Sequence, residues 1–269
     1  MCITRFVAFT ATLLAFTALP SFSQTQSTTP TPAAKPKPAT NATTAKPATA
    51  PTYDRALLKP ALLKDKAPDT FQVKFETTRG DFTLTVTRSW SPLGADRFYN
   101  LVKHHYYDDA PIFRVAANFV AQFGISAYPP VTAAWHTARI KDDPRNQSNK
   151  KGTIVFADSG PDTRTTQVFI NLANNDFLDS KGFTPFGVVD GKGLNVVEMF
   201  YDQYGEAAGV QDQPAIEKGG KKYVEQRWPK LDSIKHATLV GAAATAPAAK
   251  PAATTKSATT PKPAANPQP

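Results

Sequence analysis

The chain has 269 residues, a formal net charge of +9 and 24 prolines, half of which lie in residues 25–52 and 241–269. These two Ala/Thr/Lys/Pro-rich stretches hold too few large apolar side chains to offset the entropy of ordering them, which excludes a packed core there and predicts disorder. The lysines form no stripe with interleaved aromatic residues, so a basic, soluble surface is favoured over nucleic-acid binding.

The first segment has the pattern of a cleaved export signal. Arg5 supplies the positive charge, residues 6–19 are apolar and uncharged, and small residues at a plausible cleavage site follow in residues 20–23. The apolar run is too short to span a bilayer, so we expect no stable membrane insertion. The single cysteine, Cys2, precedes this run, so neither lipidation nor a disulfide is expected in the mature chain. We therefore expect an exported protein, periplasmic or secreted.

Composition divides the chain into four parts. We expect a signal peptide over residues 1–23, a disordered linker and arm over 24–67, one globular domain over 68–240, and a disordered tail over 241–269. The domain is long enough to bury a sizeable single core. Within the arm, residues 53–67 carry four leucines and fit either a short helix or an extended segment lying on the domain.

The domain begins with a predicted β-hairpin. Residues 71–78 and 82–86 alternate apolar and polar side chains, as half-buried strands do. The intervening Arg79-Gly80-Asp81 is read as a tight turn rather than as an adhesion motif. Ser91-Pro92 then predicts a helix start with Ser91 as the N-cap, and apolar residues recur at helical spacing as far as Val102.

Short strands dominate the rest of the domain. The pattern predicts a second helix over residues 194–200, a long irregular loop over 126–151, and strands over 112–115, 119–123, 152–157, 167–172, 186–189 and 231–240. About eight short strands with two helices predict a mainly β fold, a closed eight-stranded barrel capped by two α-helices.

Conventional catalytic machinery is absent from the sequence. None of the four histidines has a partner at metal-ligand spacing, and no phosphate-binding loop or nucleophile elbow is present. The adjacent pairs Asp108-Asp109 and Asp142-Asp143 point to opposite sides of an extended chain and make poor acid/base dyads. We expect no metal, no cofactor and no covalent catalysis. Arg114 stands out in an apolar strand pair, and it is read either as a solvent-facing residue or as a functional one.

Four blocks, in order, resemble the signature blocks of the cyclophilins. The first is the helix GADRFYNL at residues 94–101, and the second is FRVAANFVAQFG at residues 113–124. The third runs from GTIVFA at residue 152 to TQVFI ending at residue 170, and the fourth is FLD at residue 177 followed by FTPFGVV at residue 183. The resemblance extends from about Phe71 to Tyr204, and it points to a bacterial exported form of the family.

The resemblance implies an eight-stranded barrel with two capping helices that catalyses cis/trans rotation about X–Pro bonds. Arg114 matches the family's catalytic arginine, and Gln122 matches the glutamine that holds the arginine or the substrate carbonyl. The positions that match substrate-binding residues are Phe113, Phe119, Val120, Ala157, Asp158, Gln167, Phe169, Phe177, Leu178 and Phe183.

Several of these positions depart from the family pattern. Phe113 and Phe183 stand where histidines are usual, Val120 replaces a methionine, Asp158 an asparagine and Phe177 a tryptophan. Because the arginine, the phenylalanine pocket and both glutamines are kept, isomerase activity is expected to persist with altered substrate preference.

Three functions compete on this pattern. The leading hypothesis is a monomeric peptidyl-prolyl isomerase, a folding helper acting on proline-containing segments of exported polypeptides. The alternative is a non-catalytic proline-peptide binding module of the cell envelope. The third is a structural spacer attached to the wall by its Lys/Pro-rich tails.

Overall fold

A computed structural model of the chain describes residues 53–241. The expected signal peptide, most of the linker and nearly all of the C-terminal tail lie outside the described residues. The described part holds eight strands, β1 (Thr70–Thr77), β2 (Asp81–Thr87), β3 (Arg114–Ala116), β4 (Val120–Phe123), β5 (Thr153–Phe156), β6 (Val168–Asn171), β7 (Pro185–Val189) and β8 (Ile234–Val240). Its α-helices are α1 (Pro92–Lys103), α2 (Pro129–Trp135), α3 (Gly191–Glu198) and α4 (Gln213–Arg227).

The strands form one curled antiparallel sheet in the order β3-β4-β6-β5-β7-β2-β1-β8. Its two end strands are drawn together by the segments that precede them, because Ile112 N donates to Asp232 O at 2.8 Å and Ile234 N donates to Ala110 O at 2.9 Å. This mainly β architecture confirms the predicted fold class.

The β1–β2 hairpin follows directly from the sequence. Every second residue of β2 is buried, and Phe75 and Phe82, which are paired across the hairpin, stack at 4.8 Å between ring centroids. Gly80 adopts φ 136° in the turn, a conformation that side chains with a Cβ rarely take. Arg79 and Gly80 therefore lie in the turn between the two strands, and Asp81 is the first residue of β2.

Helix α1 has its predicted bounds but a different cap. The Ser91 side chain makes no capping hydrogen bond; instead its hydroxyl donates to Asp143 Oδ2 at 2.6 Å. The same carboxylate accepts from the backbone N–H groups of Leu93 at 3.0 Å and Gly94 at 2.9 Å. The free amides of the first turn are thus satisfied by a residue about fifty positions away in sequence.

Two helices of the described chain were not predicted. The expected loop over residues 126–151 contains α2, whose Trp135 is buried. Helix α4 breaks at Gly220, where φ is 58° and ψ is −152°. A Cβ on Gly220 would overlap the carbonyl oxygen of Ala127 and the ring of Pro129, the first residue of α2, so glycine lets the two helices approach closely.

Residues 53–67 form neither a regular helix nor a fully extended arm. They make two short 3-10 turns, Arg55–Leu58 and Pro60–Leu62, and they pack on the domain. Leu57 is buried, and its carbonyl accepts a 2.8 Å hydrogen bond from the Trp135 indole. Within residues 53–241, no helix is long and apolar enough to cross a membrane.

Candidate active site

Arg114 lies on the hairpin formed by β3 and β4, directly opposite Gln122. Residues paired across two strands project from the same face of a sheet, so the two side chains meet. Arg114 Nη1 donates to Gln122 Oε1 at 3.1 Å. The turn between the strands places Asn118 at φ 58°, a conformation that asparagine tolerates better than most residues.

The rest of the Arg114 guanidinium is held by Glu206. Arg114 Nε donates to Glu206 Oε2 at 2.9 Å, and Nη2 donates to Oε1 at 2.9 Å, which makes a two-pronged ion pair. The guanidinium carbon also lies 5.6 Å from the centroid of the Phe119 ring. With 21% of its side chain exposed, Arg114 is neither a solvent-facing arginine nor a sealed core residue.

A chain of glutamines continues from Arg114 to the start of α4. Gln122 Nε2 donates to Gln167 Oε1 at 2.9 Å, and Gln167 Nε2 donates to Gln213 Oε1 at 3.2 Å. Gln213 Nε2 then donates to the carbonyl of Gly209 at 2.6 Å. Each amide is a donor to the next, so the chain fixes the orientation of Gln122 toward the guanidinium.

An apolar cluster lies beside the arginine. Its buried members are Val120, Val155, Phe169 and Leu178, with Phe119, Ala157 and Phe183 partly buried against them. Strands β4, β5 and β6 bring the cluster together, because Phe169 is paired with Gln122 on one side and with Val155 on the other. Phe183 meets the Phe169 ring edge-on at 5.6 Å. The result is a dry surface next to a fixed cation.

Phe177 forms an exposed rim to this cluster. Its ring stacks on Phe119 at 6.0 Å and is 54% exposed. A large exposed aromatic ring beside an apolar surface can cover a bound peptide side chain.

Ala157 and Asp158 lie where β5 ends. Ala157 N donates to Gln167 O at 2.9 Å, and Asp158 Oδ1 accepts from Gly160 N at 3.1 Å. Burial, together with the charge of Asp142, raises the pKa of Asp158 above its ordinary value. The edge therefore carries a carboxylate that is costly to keep charged.

Phe113 is separated from the other predicted site residues. Its side chain is fully buried in a second cluster with Ile125, Ala208, Ile216, Val224 and Trp228. Successive side chains of an extended chain point to opposite faces, so Phe113 turns inward where Arg114 turns toward the site. The position that is histidine in the family pattern here has a packing role.

Two residues of the site, Glu206 and Gln213, are not among those that the sequence pattern predicts. Both follow α3, in a part of the chain for which no element was predicted. Pro214 near the start of α4 is a helix-start signal that would have revealed the helix. Nothing in the local sequence indicates that Glu206 reaches Arg114, which lies 92 positions earlier.

The histidines of the described chain serve as surface partners. His104 contacts Asp54 at 2.6 Å, and His236 contacts Asp108 at 3.0 Å. Among residues 53–241, no group of three or more His, Cys, Asp or Glu side chains is arranged to hold a metal ion.

Comparison with known proteins gives one consistent family. The family model described as cyclophilin type peptidyl-prolyl cis-trans isomerase/CLD matches residues 72–220. A peptidyl-prolyl cis-trans isomerase of Acinetobacter baylyi is 32% identical over 155 residues, which cover 53% of this chain and 80% of that protein. A peptidyl-prolyl cis-trans isomerase-like 1 of Rhizopus delemar is 33% identical over 133 residues, covering 47% and 78%.

The crystal structure of a cyclophilin type peptidyl-prolyl cis-trans isomerase of Cryptosporidium parvum has 19% sequence identity and a TM-score of 0.46, and the match covers 63% of this chain and 97% of that one.

Proposed function

The chain belongs to the cyclophilin-type peptidyl-prolyl cis-trans isomerase family, and we propose that Arg114 is the group that drives its isomerisation of X–Pro bonds. Rotation about the peptide bond costs about 20 kcal/mol because amide resonance must be broken. In the twisted transition state the proline nitrogen gains a lone pair, which a guanidinium N–H can stabilise. That interaction exists mainly in the transition state, which is the requirement for rate acceleration.

The observation that carries this proposal is the position of the guanidinium. It lies over the Phe119 ring at 5.6 Å, at the border of the apolar cluster formed by Val120, Phe169 and Leu178. A proline ring seated on the cluster would place its nitrogen within reach of a donor that Gln122 already orients. Low local polarity around the donor strengthens such a hydrogen bond.

The test is an isomerisation assay on a short X–Pro peptide, with the wild type and Arg114→Ala. We expect kcat/KM of the variant to fall about 100-fold, the size of effect that removing one transition-state donor has. A catalytic wild type with an equally active variant would reject Arg114 as the driving group.

The same assay decides between the enzyme and the non-catalytic binding module. A wild type that binds the peptide with a measurable Kd but leaves its isomerisation at the uncatalysed rate would favour the module. A pull-down that compares the full chain with residues 68–240 tests the third candidate, the wall-attached spacer.

The substrates are proposed to be proline-containing segments of exported polypeptides, with the protein acting as a monomer in the periplasm or outside the cell. The support is the export-signal pattern of residues 1–23. Fractionation of cells expressing the full chain, with N-terminal sequencing of the mature form, tests it; an intact N-terminus in the cytoplasmic fraction would overturn it. Sizing by light scattering tests the monomer.

A further inference from the structure

Glu206 reaches the guanidinium from a segment that folds over it. The segment consists of Tyr204, Glu206 and the short π-helical turn Ala207–Gln211, and it lies between α3 and α4. Gly209 packs on the aliphatic part of Arg114: a Cβ at Gly209 would overlap Arg114 Cβ and Cγ. This segment therefore contacts Arg114 along its stem as well as at its charged end.

The ion pair leaves part of the guanidinium free. An arginine has five N–H donors, one on Nε and two on each Nη. Glu206 takes Nε and one N–H of Nη2, while Gln122 takes one N–H of Nη1. One N–H on each Nη is left over, so a substrate can receive a hydrogen bond without displacing Glu206.

The two acceptors also fix the plane of the group. A two-pronged pair sets both the distance and the orientation of the guanidinium, and the bond to Gln122 holds its other end. Gln122 is itself tied through Gln167 and Gln213 to the Gly209 carbonyl, which belongs to the segment that carries Glu206. Arg114 is thus enclosed in a loop of hydrogen bonds before substrate arrives.

The ion pair contributes little to folding. The Glu206 side chain is 48% exposed, and pairs in such surroundings are weakened by competition with water. A flexible arginine loses conformational entropy when it is ordered. If the ion pair orders Arg114 before substrate binds, this loss is no longer part of the free-energy cost of reaching the transition state. The ion pair is therefore better explained by a role in catalysis than by a contribution to folding stability.

We propose that Glu206 is a positioning residue for Arg114 in the isomerisation reaction. The inference rests on the proposed function and deepens it, because it assigns to the segment after α3 a role at the same site. The opposite role, a latch that must open before Arg114 can act, is not required by the geometry, since donors remain free while the pair is intact.

The experiment compares full-length Glu206→Gln and Glu206→Asp with the wild type in the isomerisation assay. Glu206→Gln keeps the shape but loses the charge, and we expect kcat to fall about 10-fold with KM nearly unchanged, as for a misaligned catalytic group. Glu206→Asp keeps the carboxylate and is expected to recover part of the loss. Glu198→Gln is the matched control. Glu198 is similarly exposed, at 38%, and is also ion-paired, but its partner is Lys151 and not a residue of the site.

A double variant separates positioning from a general structural effect. If Glu206 acts through Arg114, adding Glu206→Gln to Arg114→Ala changes kcat/KM no further. Additive losses, a Glu206→Gln rate equal to the wild type, or a rate above it would each overturn the inference. Failure of the proposed function is recognised separately: an inactive wild type overturns both proposals, whereas an active wild type with an unaffected Glu206→Gln overturns only this one.

Discussion

Two arginine–carboxylate pairs in this domain have the same chemistry and opposite surroundings. Arg114 and Glu206 meet at the surface of the sheet, with 21% and 48% of their side chains exposed. Arg164 and Asp143 meet at 3.1 Å with 5% and 3% exposed. Asp143 also accepts from Ser91 and from the first turn of α1, so its pair is part of the framework.

The difference in exposure decides what each pair does. Removing one partner of a buried pair leaves a charge without water or counterion, so the fold depends on both partners. A half-exposed pair can lose a partner at little cost in stability, and its free donors stay accessible to a ligand. Substitutions in the Arg114–Glu206 pair should therefore lower activity, and substitutions in the Arg164–Asp143 pair should lower the free energy of unfolding.

The largest effect is expected from Asp143→Ala. It leaves Arg164 with Asp142, which is 39% exposed and lies 3.3 Å from Arg164 Nε, and it removes the acceptor of the first-turn amides of α1. The free energy of unfolding should therefore fall by about 3 kcal/mol, measured in denaturant titrations. The control is Asp142→Ala, which removes the more exposed carboxylate partner of the same arginine. This substitution should cost less than about 1 kcal/mol, because a pair with an exposed partner contributes little. Equal losses in the two variants would contradict the distinction between buried and exposed pairs.

Arg114→Lys should lower activity strongly and stability little, the reverse of what is expected for Asp143→Ala. A lysine keeps the charge but cannot hold Glu206 and Gln122 in fixed planar geometry, so kcat/KM is expected to drop about 100-fold. The unfolding free energy should change by less than about 1 kcal/mol, because an ion pair with a half-exposed partner contributes little to stability. An active lysine variant would mean that charge alone, and not geometry, is what the site requires.

Phe113→His tests the neighbour of Arg114 that turns inward. The imidazole would be buried among apolar side chains without a hydrogen-bond partner, which should cost about 2 kcal/mol of stability. Because the side chain at position 113 faces away from the apolar cluster beside Arg114, isomerase activity per folded molecule should not increase. A rise in kcat/KM would show that position 113 contacts the substrate.

The smallest effect is expected from Asp158→Asn. The pKa of Asp158 is raised by burial and by Asp142, so its charged form destabilises the fold as pH rises above the ordinary carboxyl range. The amide removes this penalty, and stability at pH 7 should increase by less than about 1 kcal/mol because the group is partly solvated. Thermal unfolding at pH 4 and pH 7 checks the sign, since the gain should shrink at the lower pH.

The apolar half of the site is the part that the sequence predicts well. Val120, Phe169 and Leu178 lie in strands or turns whose alternating pattern and family-like blocks mark them, and the structure brings them together. Gln122 and Gln167 are found in the same way and join Arg114 in one hydrogen-bonded chain. Phe113 is placed in a different cluster, and strand alternation next to Arg114 explains why.

The amino-acid sequence by itself determined the mainly β fold, the strand that carries Arg114 and the apolar residues beside it, because burial imposes a periodicity that can be read locally. The tertiary structure alone decided the partners of the charges. Glu206 meets Arg114 across 92 positions and Asp143 meets Arg164 across 21. A single polar side chain has no periodicity, and its partner is set only when distant segments pack together.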